Sequence, residues 1–212
     1  MTSSTAPLAP KRAYSSTRRA QQAARTRDDV VRAAIELFRT RGWAGTTVAA
    51  IAERAGVAVE TVYKAGGAKT ALLRASMDAA IVGDTEPVAL AERPEYLAMS
   101  EGDQTQRITR AVALVADVHE RAAGVWLAIV EAAAADEDVA GWRNDLERSR
   151  RVEVTHAAER VFGGPLDDDL ITMLWVLYGP ETYLKLVVDE GQSRDDYEAF
   201  LIRASQRLAT LR

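Results

Sequence analysis

The 212-residue chain is 48% hydrophobic and 27% charged, with a formal net charge of −4 and no cysteine. These proportions are typical of a globular protein and exclude wholesale disorder, and the lack of cysteine excludes disulfides, thiolate nucleophiles and zinc fingers. Since no apolar run reaches the ~18 residues of a membrane helix and the basic N-terminus lacks the apolar core of a secretory signal, we expect a cytoplasmic protein without membrane contact.

The N-terminal segment differs in composition from the rest of the chain. Residues 1–25 are rich in Ser, Thr, Ala, Pro and Arg and show no sustained apolar period, which predicts a flexible basic arm. From Thr26 to Phe38 apolar residues recur at helical spacing, and Gly42 is a typical helix terminator. A first helix is therefore predicted before Gly42.

Two short helices are predicted next, on either side of Gly56. The first begins at Thr46-Thr47, a typical N-cap, and the second spans residues 59–64, which need tertiary packing because Val, Thr and Val are weak helix formers. Small residues before the glycine and branched apolar residues after it are what a helix-turn-helix requires where its helices cross. An ordinary helical corner is the alternative interpretation.

The remaining chain shows further helical periods and no convincing two-residue alternation, so the whole protein is predicted to be all-α. Gly163-Gly164-Pro165 is the strongest stop signal, and Gly179-Pro180 predicts a kink in a segment that is apolar on nearly all sides. Further helices are predicted over residues 68–81, 105–122, 125–135, 139–162 and 170–188, with a last helix capped by Ser193.

A longer pattern surrounds the predicted helix-turn-helix. It consists of Ile35, Leu37, Phe38, Gly42, Trp43, Thr46, Thr47, Val48, Ile51, Ala52, Ala55, Gly56, Val57, Thr61, Val62, Tyr63, Lys69, Leu72 and Leu73. In order and spacing this segment resembles the TetR family of transcriptional regulators, except that Lys64-Ala65-Gly66 stands where the family usually has His-Phe after a Tyr-Tyr pair. The resemblance implies a three-helix DNA-binding domain at residues 26–74 and a larger helical effector-binding and dimerisation domain at residues 75–212.

The resemblance also implies which residues contact DNA. In a helix-turn-helix the second helix lies in the major groove and the first crosses the phosphate backbone. Base-reading positions fall on Ala58, Val59 and Glu60, whose side chains suit thymine methyl groups and a cytosine amino group. Backbone contacts are expected from Thr46, Thr47, Thr61, Tyr63, Lys64 and Lys69. For Lys69 the alternative is a solvated surface lysine.

Charge is divided unevenly along the chain. Residues 1–74 hold thirteen Lys and Arg against five Asp and Glu, whereas residues 75–212 hold fourteen against twenty-six. The resulting charges of +8 and −12 favour a polyanion-binding head on a body that repels polyanions. A basic tail combined with solvated helix faces would give the same division.

The acidic body contains both histidines and most of the aromatic residues. Small-molecule sites in helical proteins are mostly apolar with a few polar anchors. We therefore predict an effector pocket lined by His119, Trp126, Trp142, His156, Trp175 and Tyr178. For any single one of these residues a place in the core or on the surface is the alternative. We expect no metal site and no cofactor.

The two C-terminal helices carry more apolar residues than a polar outer layer needs. These residues are Leu174, Trp175, Leu177, Tyr178, Leu184, Phe200, Leu201, Ala204 and Leu208. They predict a homodimer through a four-helix interface, as the family resemblance also implies. A two-fold dimer would hold two recognition helices about 34 Å apart, which matches a roughly palindromic operator in double-stranded DNA. A monomeric core is the alternative.

Together these features predict a homodimeric repressor that an unknown small-molecule effector releases from its operator. One alternative is a ligand-independent module that binds DNA or another partner. The other is a helical enzyme, which we do not expect because the chain shows no Ser-His-Asp spacing, no HExxH and no paired glutamates on one helix face. No catalytic residue is assigned.

Overall fold

The computed structural model describes residues 11–86 and 88–211, with side chains from Arg18 onward. These residues form an all-α fold without any β-strand, as predicted. Short 3₁₀ turns at Leu90–Glu92 and Ala98–Ser100 flank the short helix Pro94–Leu97. The helices are α1 Lys11–Arg41, α2 Val48–Ala55, α3 Val59–Gly66, α4 Lys69–Val82, α5 Pro94–Leu97, α6 Gln104–Ala133, α7 Glu137–Phe162, α8 Asp168–Leu177, α9 Pro180–Tyr183 and α10 Arg194–Ala209.

Helix α1 is much longer than the sequence pattern predicted. Residues 11–25 were predicted as an irregular arm, but they are helical and continuous with the packed part of α1. The segment is rich in Ala, Gln and Arg, which favour helix without producing an apolar period. Side chains from Arg18 to Arg25 are exposed, and α1 becomes buried only from Val30. Residues 1–10 of the predicted arm lie outside the described residues.

Helix α6 runs unbroken through Gly124, where the sequence predicted two separate helices. A Cβ atom on Gly124 would lie 3.0 Å from the Cα of Arg39 in α1. The glycine therefore allows the backbones of α1 and α6 to approach closely, and it does not end the helix. This crossing fixes α1 against the longest helix of the body.

The predicted kink at Gly179-Pro180 is a break between two helices. Helix α8 ends at Leu177, and Pro180 occupies the first turn of α9, which continues into a π-helical turn at Leu184–Asp189. This segment was predicted to be buried on more than one side. That prediction is wrong for the single chain, because Val176 and Val188 are 60% and 59% exposed.

Two hydrophobic cores hold the fold together. The first joins α1–α4 to the C-terminal half of α6 and contains Phe38, Ile51 and Trp126. The second joins the N-terminal half of α6 to α7, α8 and α10 around Ile108 and Leu174. Helix α6 belongs to both cores and α4 runs through the predicted domain boundary at residues 74–75, so the two regions are mechanically connected.

Candidate nucleic-acid interface and ligand cavity

The turn between α2 and α3 has the geometry of a surface helix-turn-helix. Thr47 is the N-cap of α2, and its hydroxyl oxygen accepts a hydrogen bond from the backbone N–H of Ala50 at 3.1 Å. Gly56 ends the helix at a φ of 67°, a left-handed conformation that disfavours any side chain. Gly56 is exposed, and no atom lies within 4 Å of the position of a Cβ. The bend is therefore on the surface, where a duplex can approach.

Helix α3 is anchored on one side and open on the other. Val62 is completely buried in the first core, whereas Tyr63 is 53% and Val59 37% exposed. Ala58, Glu60 and Lys64 are also exposed, and Thr61 is partly buried. Because positions three and four apart share a helix face, Val59, Glu60, Tyr63 and Lys64 form one outward surface. The structure thus brings the predicted base-reading residues together with two of the predicted backbone contacts.

Thr46 was predicted to contact a phosphate, and this prediction is wrong. Its relative exposure is 0%. Its hydroxyl donates to the carbonyl of Gly42 at 2.7 Å, and its backbone N–H donates to the carbonyl of Trp43 at 3.2 Å. Both polar groups are used within the turn after α1, so Thr47 alone of this pair faces solvent.

Lys69 is partly buried and is bound to the same turn. Its ammonium donates to the carbonyl of Trp43 and lies 3.9 Å from the centroid of the Trp43 ring. Burial lowers the pKa of Lys69, and the negative charge of Glu131 opposes this shift. In this conformation Lys69 fastens the start of α4 to the α1–α2 turn, and its predicted phosphate contact stays a prediction.

Glu131, which sequence reasoning did not select, connects the body to the helix-turn-helix. Its two carboxylate oxygens accept hydrogen bonds from the backbone N–H groups of Trp43 at 2.7 Å and Ala44 at 3.1 Å. Glu131 lies near the end of α6, while Trp43 and Ala44 form the turn before α2. The available signal was a lone acidic residue in the otherwise apolar run from Gly124 to Ala135.

Exposed cations lie on α1 and α2 of the same head. Arg54 at the end of α2 forms an ion pair with Glu36 of α1, with the Nε–Oε1 distance at 2.9 Å, and this pair joins α2 to α1. Arg25, Arg27 and Arg41 are exposed on α1. The net positive charge of the head attracts a polyanion such as DNA.

The comparison with known families agrees with this geometry. Residues 30–76 match the family model described as bacterial regulatory proteins, tetR family. This segment of the chain is a DNA-binding domain of the tetR family. The matched segment contains the packed part of α1, all of α2 and α3, and half of α4. A comparison with curated proteins gave no match.

This match makes the protein a DNA-binding transcriptional regulator of the tetR type. The proteins of the matched family are regulators rather than enzymes. In the part of the chain that the structure describes, no helix is both long and apolar enough to cross a bilayer.

The body of the protein contains a cavity of about 410 Å³ between α4, α6, α7 and the segment around α5. This volume is within the range of about 300–1,000 Å³ that small-molecule sites occupy. Three of the six predicted pocket residues line it, namely His119, Trp126 and Tyr178. Sequence reasoning missed the charged lining of α7, which consists of Glu147, Arg150 and Glu153.

The other three predicted pocket residues lie elsewhere, and the prediction is wrong for them. Trp142 lies at the edge of the first core, and the guanidinium of Arg74 lies 4.5 Å from the centroid of the Trp142 ring. Trp175 packs against the guanidinium of Arg150, and His156 is exposed on α7. Residue type alone did not reveal which face of each helix points inward.

His119 is an uncharged polar anchor in the cavity wall. It is 6% exposed, and its Nδ1 shares a hydrogen bond of 2.8 Å with the hydroxyl of Tyr197. Burial, with a contribution from the positive charge of Arg150, lowers the pKa of His119 to about 3. Burial likewise raises the pKa of Tyr178 to about 12, while its hydroxyl bonds to Ser205 at 2.7 Å. Both side chains therefore remain neutral near pH 7.

The depressed pKa of His119 predicts a pH-dependent stability. Above its ordinary value of 6.5 the histidine is neutral in both folded and unfolded chains. Below that value only the unfolded chain gains the proton, so folding stability falls as the pH decreases from about 6.5 towards 3. We expect His119→Gln to reduce the slope of unfolding free energy against pH by up to about 1.4 kcal/mol per unit between pH 6 and 5.

Urea denaturation at several pH values measures this slope. The matched control is His156→Gln, which makes the same replacement at the exposed histidine of α7. Identical slopes for wild type and His119→Gln would show that His119 is not buried in its neutral form.

The predicted dimer residues of the C-terminal helices fall into two groups. Leu174 and Leu201 are 2% and 0% exposed and belong to the second core of the single chain, so the prediction is wrong for them. The exposed apolar side chains on α8 are Met173 and Val176, at 48% and 60%, and neither was among the predicted dimer residues. Trp175, Leu177, Tyr178, Leu184, Phe200, Ala204 and Leu208 are partly buried.

Proposed function

We propose that this protein is a homodimeric repressor whose operator binding is relieved by a small molecule bound in the cavity of the body, and that it acts in the cytoplasm where bacterial DNA lies. The observation that carries the proposal is the course of α6. This helix lines the cavity at His119 and Trp126 and binds the turn before α2 through Glu131. A ligand that moves α6 therefore moves the helix-turn-helix.

The exposed face of α3 is the proposed major-groove surface. Ala58 and Val59 suit thymine methyl groups, and Glu60 suits the amino group of cytosine. The hydroxyls of Thr47 and Tyr63 and the ammonium of Lys64 are proposed to bind phosphates. Thr61 is partly buried, so its proposed contact with DNA is smaller than those of its neighbours on the exposed face.

Substitutions on this face should separate positioning from base recognition. We expect Lys64→Ala to weaken binding to all duplexes alike and to reduce the slope of log affinity against log salt by about 1, because one phosphate contact is lost. Glu60→Ala should change which base pair is preferred at one operator position. The difference in binding free energy between operators that differ there should change by about 1–3 kcal/mol. Fluorescence anisotropy with matched operator variants over a salt series measures both effects.

An exposed control belongs to this experiment. Glu101 lies before α6, far along the chain from α3, and is exposed. Glu101→Ala should leave operator preference and salt slope unchanged. A Lys64→Ala variant that changed base preference, with an inert Glu60→Ala, would reverse the proposed roles.

The coupling through Glu131 is directly testable. Glu131→Ala removes the acceptor of two backbone N–H groups, so hydrogen exchange at Trp43 and Ala44 should accelerate while amides in the middle of α6 keep their protection. In the same variant, ligand bound in the cavity should weaken operator binding less than in the wild type. Undiminished coupling in Glu131→Ala would contradict this route.

The dimer is proposed to form through α8 and α10, with Met173 and Val176 at its centre. Two exposed apolar side chains one turn apart on the same helix favour an interface. A two-fold interface would use the same surface on both copies. Sedimentation equilibrium should give twice the mass of the 23.1 kDa chain, and Val176→Arg should shift this towards the mass of one chain.

A further inference from the structure

The charged lining of the cavity lies entirely on α7. Apart from Glu147, Arg150 and Glu153, the lining consists of apolar side chains and of groups that carry no charge near pH 7. An apolar enclosure strengthens the effect of each charge within it, because less water screens the interaction. Which ligand charge the cavity accepts therefore depends on which of these three residues are already paired within the protein.

All three guanidinium nitrogens of Arg150 already donate hydrogen bonds within the protein. Its Nε donates to Glu147 Oε1 at 3.0 Å and its Nη2 to Glu147 Oε2 at 2.8 Å. Its Nη1 donates to the carbonyl of Trp175 at 2.9 Å, and the guanidinium lies 5.1 Å from the centroid of the Trp175 ring. A ligand anion would have to displace Glu147 before it could pair with Arg150.

Glu153 lies one turn beyond Arg150 on α7 and is exposed at the cavity. Among the described residues its carboxylate has no ion pair and no hydrogen bond. Its negative charge adds to burial in raising the pKa of Tyr96, another residue of the cavity wall. The guanidinium of Arg160 lies 5.7 Å from the Tyr96 ring but does not line the cavity. The lining thus carries one uncompensated negative charge.

We propose that the cavity binds an apolar organic cation, with its hydrocarbon body against residues such as Leu114, Val118 and Phe162 and its positive group at Glu153. This inference rests on the proposed function, since it names the ligand class of the same cavity. The acidic body favours the same class, because residues 75–212 carry a net charge of −12.

Three probes of equal chain length test the ligand charge. Decyltrimethylammonium, decanol and decanoate are titrated, below their micelle concentrations, against the purified protein loaded with the neutral fluorophore N-phenyl-1-naphthylamine. We expect the ammonium probe to displace the fluorophore at a concentration at least about tenfold lower than decanoate, because Glu153 attracts the first probe and repels the second. Equal or tighter binding of decanoate would overturn the proposal.

The variant Glu153→Gln assigns the preference to one carboxylate. It should weaken binding of the ammonium probe at least about fivefold and leave decanol binding unchanged, because only a charge is removed. Glu159→Gln, a glutamate on the same helix that does not line the cavity, is the matched control and should behave as wild type. A cation preference that survives in Glu153→Gln would overturn the proposal.

The same titrations distinguish this inference from the proposed function. If decanoate displaces the fluorophore best and also releases DNA, the cavity is an effector site and only the ligand class is wrong. If the fluorophore itself does not bind, and no probe changes its signal, the cavity is not a ligand site and the proposed function fails with it.

Discussion

Replacing Trp126 with alanine should lower the free energy of unfolding by about 3–5 kcal/mol. The side chain is 2% exposed and packs in the first core, where α6 meets α1–α4. Its indole Nε1 donates to Glu181 Oε1 at 2.9 Å, so the substitution also leaves that carboxylate without its partner. The void would adjoin the existing cavity. Because the surrounding helices do not fill that cavity, we do not expect them to fill the void.

Urea denaturation followed by circular dichroism measures this loss. The matched control is Trp142→Ala, which removes a partly buried tryptophan from the edge of the same core. We expect this control to cost about 1–2 kcal/mol, since its ring contacts solvent and the guanidinium of Arg74. Equal losses for the two variants would contradict the placement of Trp126 at the joint between head and body.

Restoring the phenylalanine that the TetR family usually has at Gly66 should destabilise this protein and weaken its DNA binding. A Cβ at Gly66 would lie 2.3 Å from Cδ2 of Leu72 and 3.5 Å from Cγ1 of Val30. Leu72 is completely buried, so it cannot swing into solvent to make room. We expect Gly66→Phe to cost at least about 3 kcal/mol and Gly66→Ala about 1–3 kcal/mol.

Two further variants make this prediction specific. Gly141 lies inside α7 with no atom within 4 Å of a Cβ position, so Gly141→Ala should stabilise the helix by about 0.5–1 kcal/mol. In Gly66→Ala combined with Leu72→Ala, the losses should be less than additive, because the second change removes the clash. Purely additive losses would mean that Leu72 does not occupy the place of the missing phenylalanine.

The helix-turn-helix was predictable because its signals are local. Thr47 caps α2, Gly56 adopts a left-handed conformation, and Val62 faces the core, all as the spacing of residues implied. Thr46 was assigned wrongly, and the contacts of Lys69 within the protein were not predicted. Both bind the turn at Gly42 and Trp43, and such tertiary partners are invisible to a reading of residue types.

The body was less predictable for the same physical reason. Its fold class followed from the helical periods, but the orientation of Trp142, His156 and Trp175 depends on how α7 and α8 pack. Separate helices were predicted over residues 105–122 and 125–135, although Gly124 between them allows a close crossing of α6 with α1. In each case a partner distant in sequence decided the role of the residue.

Operator selection tests the central claim most directly. Random double-stranded DNA is enriched on the purified protein, and the affinity for the selected duplex is then measured at several salt concentrations. We expect a roughly palindromic duplex whose binding weakens steeply with salt, since phosphate contacts dominate the affinity. Failure to retain any duplex at low ionic strength would contradict the assignment of α2 and α3 as a DNA-binding unit.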